Sequence, residues 1–169
     1  SEMILDQLLT DSDSVQKKHE ETFAIKPVRL AEPFERLRLE TEKSGKRPKV
    51  FMLKVGNPAW MTARAMFSGN FFACAGYEII NPPAAESLEE AIAKAGEASP
   101  DIVVICSSDD QYPLIAPEIL KAFTNKAEIV VAGYPKDHID QLKEAGIRHF
   151  IHIKSNLPDT LQEFNRMLL

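Results

Sequence analysis

Residues 102–106 read IVVIC, and this apolar run indicates the fold class because similar runs recur along the chain. A short, uninterrupted apolar run of this kind is typical of a strand that is buried on both faces of a parallel sheet. The remaining predicted strands are Val50–Val55, Tyr77–Ile80, Ile129–Ala132 and His149–Ile153.

Each predicted strand is followed by a segment that favours a helix, and one strand plus one helix takes about 25 residues. The predicted helices begin near Trp60, Ser87, Pro113 and Lys136, and a fifth runs from Pro158 to the end. This alternation implies right-handed crossovers and a parallel sheet that is covered on both faces. The sequence therefore predicts an α/β fold, a flavodoxin-like doubly wound sheet of five strands. Its ligand site would lie beyond the carboxyl ends of strands 1, 3 and 4.

The segment before this repeat has a different character, and residues 1–46 are predicted to form an N-terminal arm and linker. Residues 1–32 mix polar runs with isolated apolar residues and predict no strand. Glu32–Lys43 predicts a short helix that ends near Gly45, because glycine commonly follows the last helical turn. The predicted sheet domain is residues 47–169.

Composition excludes several classes of function. The chain has 169 residues and a formal net charge of -5, whereas a nucleic-acid-binding surface needs clustered Lys and Arg. No apolar stretch reaches the roughly 18 residues of a membrane span, so we expect no membrane partner and a cytoplasmic protein. Cys74 and Cys106 lie in apolar stretches, where cysteine is usually a small buried hydrophobe.

Histidine and metal chemistry find no support in the sequence. The histidines are predicted to lie outside the loops after strands 1, 3 and 4, as surface or packing residues. No Cys/His cluster with the spacing of a zinc site occurs. We therefore predict no catalytic residue and no metal ligand. The histidines are His19, His138, His149 and His152.

The loops after strands 1, 3 and 4 carry the candidate site. Strand 1 ends in GNPAWMTAR (56–64), which lacks the glycine spacing of a nucleotide cradle. Strand 3 is followed by Ser107–Asp110, whose carboxylates suit a divalent metal or acid–base chemistry. The same residues also favour capping of the next helix, before Pro113. After strand 4, Gly133 predicts a tight turn, and Tyr134 is expected to project into the ligand space.

Five segments resemble, in the same order, the cobalamin-binding domain of methylmalonyl-CoA mutases. The likeness extends over roughly residues 47–169, and the segment RLAEPFERLR (29–38) is similar to the one that leads into that domain. The segments are RPKVFMLKVGN (47–57), TARAMFSGNFFACAGYEIINP (62–82), DIVVICSSDDQY (101–112), IVVAGYP (129–135) and EAGIRHFIH (144–152).

The resemblance implies that the cobalt-binding motif has been lost. Members that bind cobalamin carry D-x-H-x-x-G after strand 1, and its His coordinates cobalt. In this chain the Asp position falls on Pro58, the His position on Trp60 and the Gly position on Ala63. A cofactor held in the usual His-ligated mode is therefore not expected.

The other cofactor positions are partly kept. Ser107 (or Cys106) matches the Ser of the family's Ser-x-Leu after strand 3, but the Leu position falls on Ser108 or Asp109. Gly133 matches the first of two glycines after strand 4. Tyr134 replaces the second glycine, and the rings of Trp60 and Tyr134 are expected to fill the slot for the nucleotide tail. The site is therefore interpreted as degenerate.

This pattern resembles the small, non-catalytic subunit of heterodimeric methylmalonyl-CoA mutases. In that family the large subunit holds adenosylcobalamin and isomerises methylmalonyl-CoA and succinyl-CoA. The resemblance implies that this chain binds no cofactor, is catalytically silent and acts in assembly with the large subunit. The family's small subunit also has a barrel domain, so the chain is expected to be its carboxyl-terminal part. Apolar groups of the helix after strand 1, such as Phe71, and the arm (residues 1–45), including Phe34, are expected to contribute to contact with the large subunit or another copy.

Two other interpretations assign the chain to different functional classes of protein. A receiver domain shares the fold, and Asp109 and Lys154 align with its site, but its Mg²⁺ also needs acidic residues at the end of strand 1. That strand ends in Lys54-Val55-Gly56-Asn57 and offers none. A flavodoxin-like domain that binds a flavin or another corrinoid through a non-standard loop stays open, although the bulk of Trp60 and Tyr134 disfavours an open cleft.

Overall fold

All five predicted strands are present, and they form one parallel sheet. The structure is a computed structural model that describes residues 33–169. The order β2-β1-β3-β4-β5 places the topological switch between β1 and β3, as in doubly wound folds, so the predicted fold class is confirmed. The strands are β1 (Lys49–Lys54), β2 (Glu78–Ile80), β3 (Ile102–Cys106), β4 (Glu128–Ala132) and β5 (His149–Ile151).

Each crossover between strands is helical, as the sequence predicts. The helix α5 begins later than predicted because Pro135–His138 form a turn, in which the His138 N–H donates to the Pro135 carbonyl oxygen (2.8 Å). The helices are α1 (33–44), α2 (Pro58–Ala73), α3 (Leu88–Ala98), α4 (Tyr112–Ala122), α5 (Ile139–Ala145) and α6 (Leu157–Leu168).

Side chains that the sequence offers as caps begin three of these helices. Asn57 accepts hydrogen bonds from the backbone of the first turn of α2, Ser87 does so for α3, and Asn156 for α6. A side-chain oxygen at this position satisfies a backbone N–H that has no partner within the helix. Asn156 thus caps the last helix of the chain.

The core lies on both sides of the central strand. Every residue of β3 is buried, because helices cover both faces of the sheet. One layer packs Leu53, Val103 and Ile105 against apolar groups of α3 and α4, among them Ile119. This burial fixes the ends of β1, β3 and β4 beside one another, where a ligand site is expected.

The second half of α1 packs with the sheet domain. Leu37 is 1% exposed and Thr41 is 5% exposed, and the Thr41 hydroxyl donates to the carbonyl oxygen of Ala75 at 2.8 Å. The compact unit that contains the sheet accordingly begins at Leu37, earlier than the predicted boundary at residue 47, since these two residues are buried within it. Most of the predicted arm, residues 1–32, lies outside the described residues.

Candidate functional site

The carboxyl ends of the three central strands meet at the switch point, where doubly wound sheets bind their ligands. Asn57 follows β1 and begins α2, Ser107 follows β3, and Gly133 follows β4. The helix α2 starts at this edge, so the side chain of Arg64, on its second turn, reaches back across the crevice between the strand ends.

Arg64 is the central group of this crevice. Its Nη1 donates to the carbonyl oxygen of Ser107 at 2.7 Å and to the Tyr112 hydroxyl at 2.9 Å. Its Nη2 lies 2.7 Å from Oδ1 of Asp109, and the Arg64 side chain is only 15% exposed. The Trp60 ring covers the guanidinium, with 4.8 Å between Cζ and the ring centroid. Arg64 therefore joins α2 to the loop after β3.

Tyr112 completes the connection to β4. Its side chain is fully buried, and its hydroxyl donates to the carbonyl oxygen of Ala132. The same oxygen accepts from the Ser107 N–H at 3.2 Å and from Arg64. A phenol has one donor and two acceptor positions, so every one is used. Burial raises the pKa of Tyr112 to about 12, and the phenol is neutral at physiological pH.

The charge of Arg64 is retained in this setting. Burial by itself lowers the pKa of the guanidinium, but the neighbouring Tyr112 and Asp109 outweigh burial and raise it above its ordinary value. The Asp109 side chain is 51% exposed, so solvent screens the ion pair and its contribution to stability is modest. The hydrogen bonds to buried groups hold the guanidinium more firmly than the ion pair does.

Two glycines give this cluster its close packing. At Gly133, whose φ is 123°, an added Cβ would lie 3.0–3.2 Å from the Arg64 guanidinium. At Gly56, whose φ is 94°, an added Cβ would lie 2.8 Å from Oγ of Ser107. That Oγ is buried and has no hydrogen-bond partner among residues 33–169. Both positions need glycine, because of the positive φ and because the neighbouring side chains leave no room.

The predicted loop-1 positions do not enter the crevice. Pro58 and Ala63 are exposed on α2, and Trp60 is 51% exposed as the cover of Arg64. Trp60 stacks on the Arg64 guanidinium, which hydrogen-bonds to Ser107 and lies beside Gly133. Arg64 is thus the link between Trp60 and these two residues. The candidate positions lie in or next to segments at the carboxyl edge of the sheet, and the sequence analysis overlooked Arg64, which joins them.

The expectation that Trp60 and Tyr134 fill the slot is wrong. Tyr134 is 43% exposed and turns toward β5, where its ring lies 6.0 Å from Phe150 and 5.0 Å from His152. Arg64 and Tyr112 occupy the space between the strand ends instead. A signal for Arg64 was present in the sequence, since it follows Trp60 by four residues, a spacing that places two side chains on one face of a helix.

Contrary to the prediction, the side chains of the loop after β3 do not cap the next helix but make other contacts. The helix α4 begins at Tyr112 after Gln111, and no side-chain cap is formed there. Asp109 pairs with Arg64, and the Ser108 side chain lowers the pKa of Asp110 by a hydrogen bond. Within residues 33–169, no three Asp, Glu, His or Cys side chains are grouped closely enough to hold a metal ion.

One histidine is displaced from its predicted setting. Because α5 begins at Ile139, His138 falls in the loop after β4, contrary to the sequence analysis. It lines a shallow groove of about 320 Å³ at the carboxyl edge, together with Trp60, Asp109 and Lys136. His149 lies at the opposite edge, 3.4 Å from the Glu128 carboxylate, where the first residue of β5 meets the first of β4.

This domain has a five-stranded parallel α/β fold that it shares with a solved cobalamin-binding protein. The 1.5 Å crystal structure of a novel cobalamin-binding protein from Desulfitobacterium hafniense DCB-2 matches with a TM-score of 0.53 and 16% sequence identity. The match covers 99% of this chain and 91% of that protein. No protein-family model matches the chain.

More specifically, the sequence is similar to methylmalonyl-CoA mutase small subunits. It is 51% identical to the one from Porphyromonas gingivalis over 81% of this chain, and 35% identical to the one from Streptomyces virginiae over 62%. A probable small subunit from Mycobacterium tuberculosis is 33% identical over 56%. The resemblance inferred from the motifs is thereby confirmed. The chain spans 22%, 18% and 16% of the lengths of these relatives.

Proposed function

We propose that this chain is a cofactor-free domain of a methylmalonyl-CoA mutase small subunit, and that it acts in subunit assembly in the cytoplasm. Adenosylcobalamin and the isomerase chemistry would belong to a large partner subunit in a heterodimer. The observation that carries this proposal is the crevice at the switch point. Arg64 and Tyr112 occupy it, and their polar groups find partners inside the domain.

The proposed loss of the cobalt ligand rests on the side chains at the matched positions. Pro58 and Ala63 offer no coordinating atom, and Trp60 is stacked on Arg64. For a cofactor tail to pass between Ser107 and Gly133, the Arg64 guanidinium would have to leave its hydrogen bonds to buried partners. Breaking such bonds costs the desolvation of each polar group left behind.

The assembly role is supported by exposed apolar groups at the carboxyl edge. We call Trp60, Leu114, Tyr134 and Ile153 the carboxyl-edge rim; their exposed fractions are 51%, 68%, 43% and 87%. They are four of the seven large apolar side chains that are exposed within residues 33–169. All four lie in or next to segments that begin or end at this edge, and exposed apolar surface is a candidate protein contact.

Phe71, the predicted contact residue of α2, cannot meet a partner. It is 4% exposed and packs in an aromatic cluster with Phe67 and Phe72. A charged residue at Phe71 would unfold the domain and say nothing about assembly. The large apolar side chains of α2 that are exposed are Met66, at 64%, and Trp60, at 51%.

Titration with adenosylcobalamin and hydroxocobalamin, followed by absorbance and calorimetry, tests the cofactor-free state. We expect no spectral change for the folded chain with either form. Tight binding with a base-off spectrum would contradict the proposal. A parallel titration of His138→Ala would show whether that histidine supplies an unrecognised ligand.

The position of His138 favours a second candidate function, binding of a corrinoid or another ligand at the groove beside Trp60. In that case hydroxocobalamin would bind through a histidine outside the family motif. The His138→Ala variant would then lose the binding, whereas the assembly proposal expects the variant and the wild type to behave alike.

Association with a large catalytic subunit tests the assembly role. We expect the double variant Leu114→Asp, Ile153→Asp to bind the large subunit at least about tenfold more weakly, since charges replace apolar contact groups. The matched control is Met167→Asp, which is 42% exposed on α6 at the opposite edge of the sheet. Calorimetry measures the affinity for the large subunit. Equal affinities of the wild type, the double variant and Met167→Asp would exclude the rim as the contact.

A further inference from the structure

We infer that Arg64 is an internal ligand: the crevice is a built guanidinium site that the chain fills with its own side chain. Shortening Arg64 would leave a site for a small planar cation of the guanidinium class. This inference rests on the proposed function, in which the crevice is closed to a cofactor. It adds that the contacts of the Arg64 guanidinium keep the crevice closed.

The hydrogen-bond acceptors of this site contact the guanidinium from different sides. Nη1 meets the Ser107 carbonyl oxygen and the Tyr112 hydroxyl, at 2.7 and 2.9 Å, and Nη2 meets the Asp109 carboxylate at 2.7 Å. A guanidinium presents its N–H groups in a planar fork, whereas an ammonium is a compact point charge. The arrangement therefore selects the fork over a lysine.

Aromatic rings complete the recognition. The Arg64 Cζ lies 4.8 Å from the Trp60 ring centroid and 5.4 Å from that of Tyr112. Both distances are within the roughly 6 Å over which a ring face attracts a cation. On the β4 side, Gly133 leaves room for the guanidinium and for little more, as shown by the 3.0–3.2 Å that would separate an added Cβ from it.

Most of the site is held in place without Arg64. The Ser107 carbonyl belongs to a buried residue at the end of β3, and the Tyr112 hydroxyl is fixed by the Ser107 N–H and the Ala132 carbonyl. Because these partners come from the strand ends, the acceptors stay in position when the arginine side chain is removed. A pre-organised site of this kind can bind a free ion of the same shape.

Thermal unfolding of the full chain with Arg64→Ala tests the inference. We expect the variant to melt several degrees below the wild type, since α2 and the β3 loop lose their connection. About 20 mM guanidinium chloride should raise the melting temperature of the variant by roughly 2 °C above equal sodium chloride, because a ligand that binds only the folded state stabilises it. The wild type should show no such rise, since its site is occupied.

The specificity of the rescue is checked by a second substitution. Arg64→Ala combined with Asp109→Asn should show a weaker rescue, whereas Arg64→Ala combined with Met66→Ala, an exposed neighbour on α2, should keep it in full. Equal responses of wild type and Arg64→Ala to guanidinium, relative to sodium chloride, would overturn the inference. Cobalamin binding by the wild type would instead overturn the proposed function, whatever the melting experiments give.

A measurement on the wild-type protein tests the inference even if the Arg64→Ala variant does not fold. Nitrogen-15 spectra of the wild type should show separate, slowly exchanging Nη1 and Nη2 signals for Arg64, because different partners hold the two groups. Averaged Nη signals, as for a guanidinium free in solvent, would contradict the internal-ligand role.

Discussion

Two buried tyrosines lie at opposite edges of the sheet, and their surroundings differ. Tyr112 is 0% exposed at the carboxyl edge, and Tyr77 is 2% exposed at the amino edge, just before β2. Burial raises the pKa of both phenols. The Tyr112 hydroxyl has three polar partners and one of them is charged, whereas the Tyr77 hydroxyl donates to the side-chain oxygen of Asn165.

The amino edge fastens the terminal helices to the sheet domain. Asn165 of α6 accepts from Tyr77 and donates to the Glu40 carboxylate of α1 at 3.0 Å, and Thr41 binds the carbonyl of Ala75. The same edge carries a hollow of about 450 Å³ beside β4 and β5, whereas the crevice at the switch point is filled. The difference teaches that an open hollow need not lie at the carboxyl edge, where doubly wound sheets bind their ligands.

The strongest test of the amino edge compares two leucines of one helix. Leu37 is 1% exposed and Leu39 is 49% exposed. Leu37→Ala should lower the free energy of unfolding by about 3 kcal/mol, because it leaves a cavity in the core. Leu39→Ala should change it by less than about 0.5 kcal/mol. Urea unfolding measures both, and equal small effects would mean that α1 is not part of the cooperative unit.

Removing the hydroxyl of each buried tyrosine tests the difference between the two edges. Tyr112→Phe should cost about 2 kcal/mol, because the Ser107 N–H and the Ala132 carbonyl lose a buried partner. Tyr77→Phe should cost about 1 kcal/mol, since it removes one neutral hydrogen bond. Urea unfolding at neutral pH gives both values. A larger loss at Tyr77 would reverse the assignment of the carboxyl edge as the more tightly bonded one.

The smallest expected effect is a dependence of stability on alkaline pH. The pKa of Tyr112 rises from 10.0 to about 12 on folding, so its contribution is complete below pH 10 and is lost as the pH approaches 12. At pH near 11 the loss is about 1 kcal/mol, from the free energy of a pKa difference. Tyr77 acts in the same direction. Unfolding of wild type and Tyr112→Phe at pH 9 and about 11 checks this, since the variant should lose less stability than the wild type.

Much of the fold could be predicted, because it depends on local patterns. The run at Ile102–Cys106 is a strand with the predicted bounds, and every predicted strand is followed by a helix. Two predictions failed because a distant contact or a turn, which the local pattern does not reveal, decided the outcome. Asp109 was expected to cap α4 and instead pairs with Arg64, and His138 lies in a loop because the turn from Pro135 delays α5.

The amino-acid sequence by itself determined the parallel α/β sheet, its carboxyl edge as the place of the candidate site, and the likeness to mutase small subunits. These follow from apolar runs, glycine positions and motif order, which are properties of neighbouring residues. Only the tertiary structure decided that Arg64 fills the crevice while Tyr134 turns toward β5. The reason is physical: Arg64 and Tyr112 are 48 residues apart, and their contact exists only after β1, β3 and β4 have aligned.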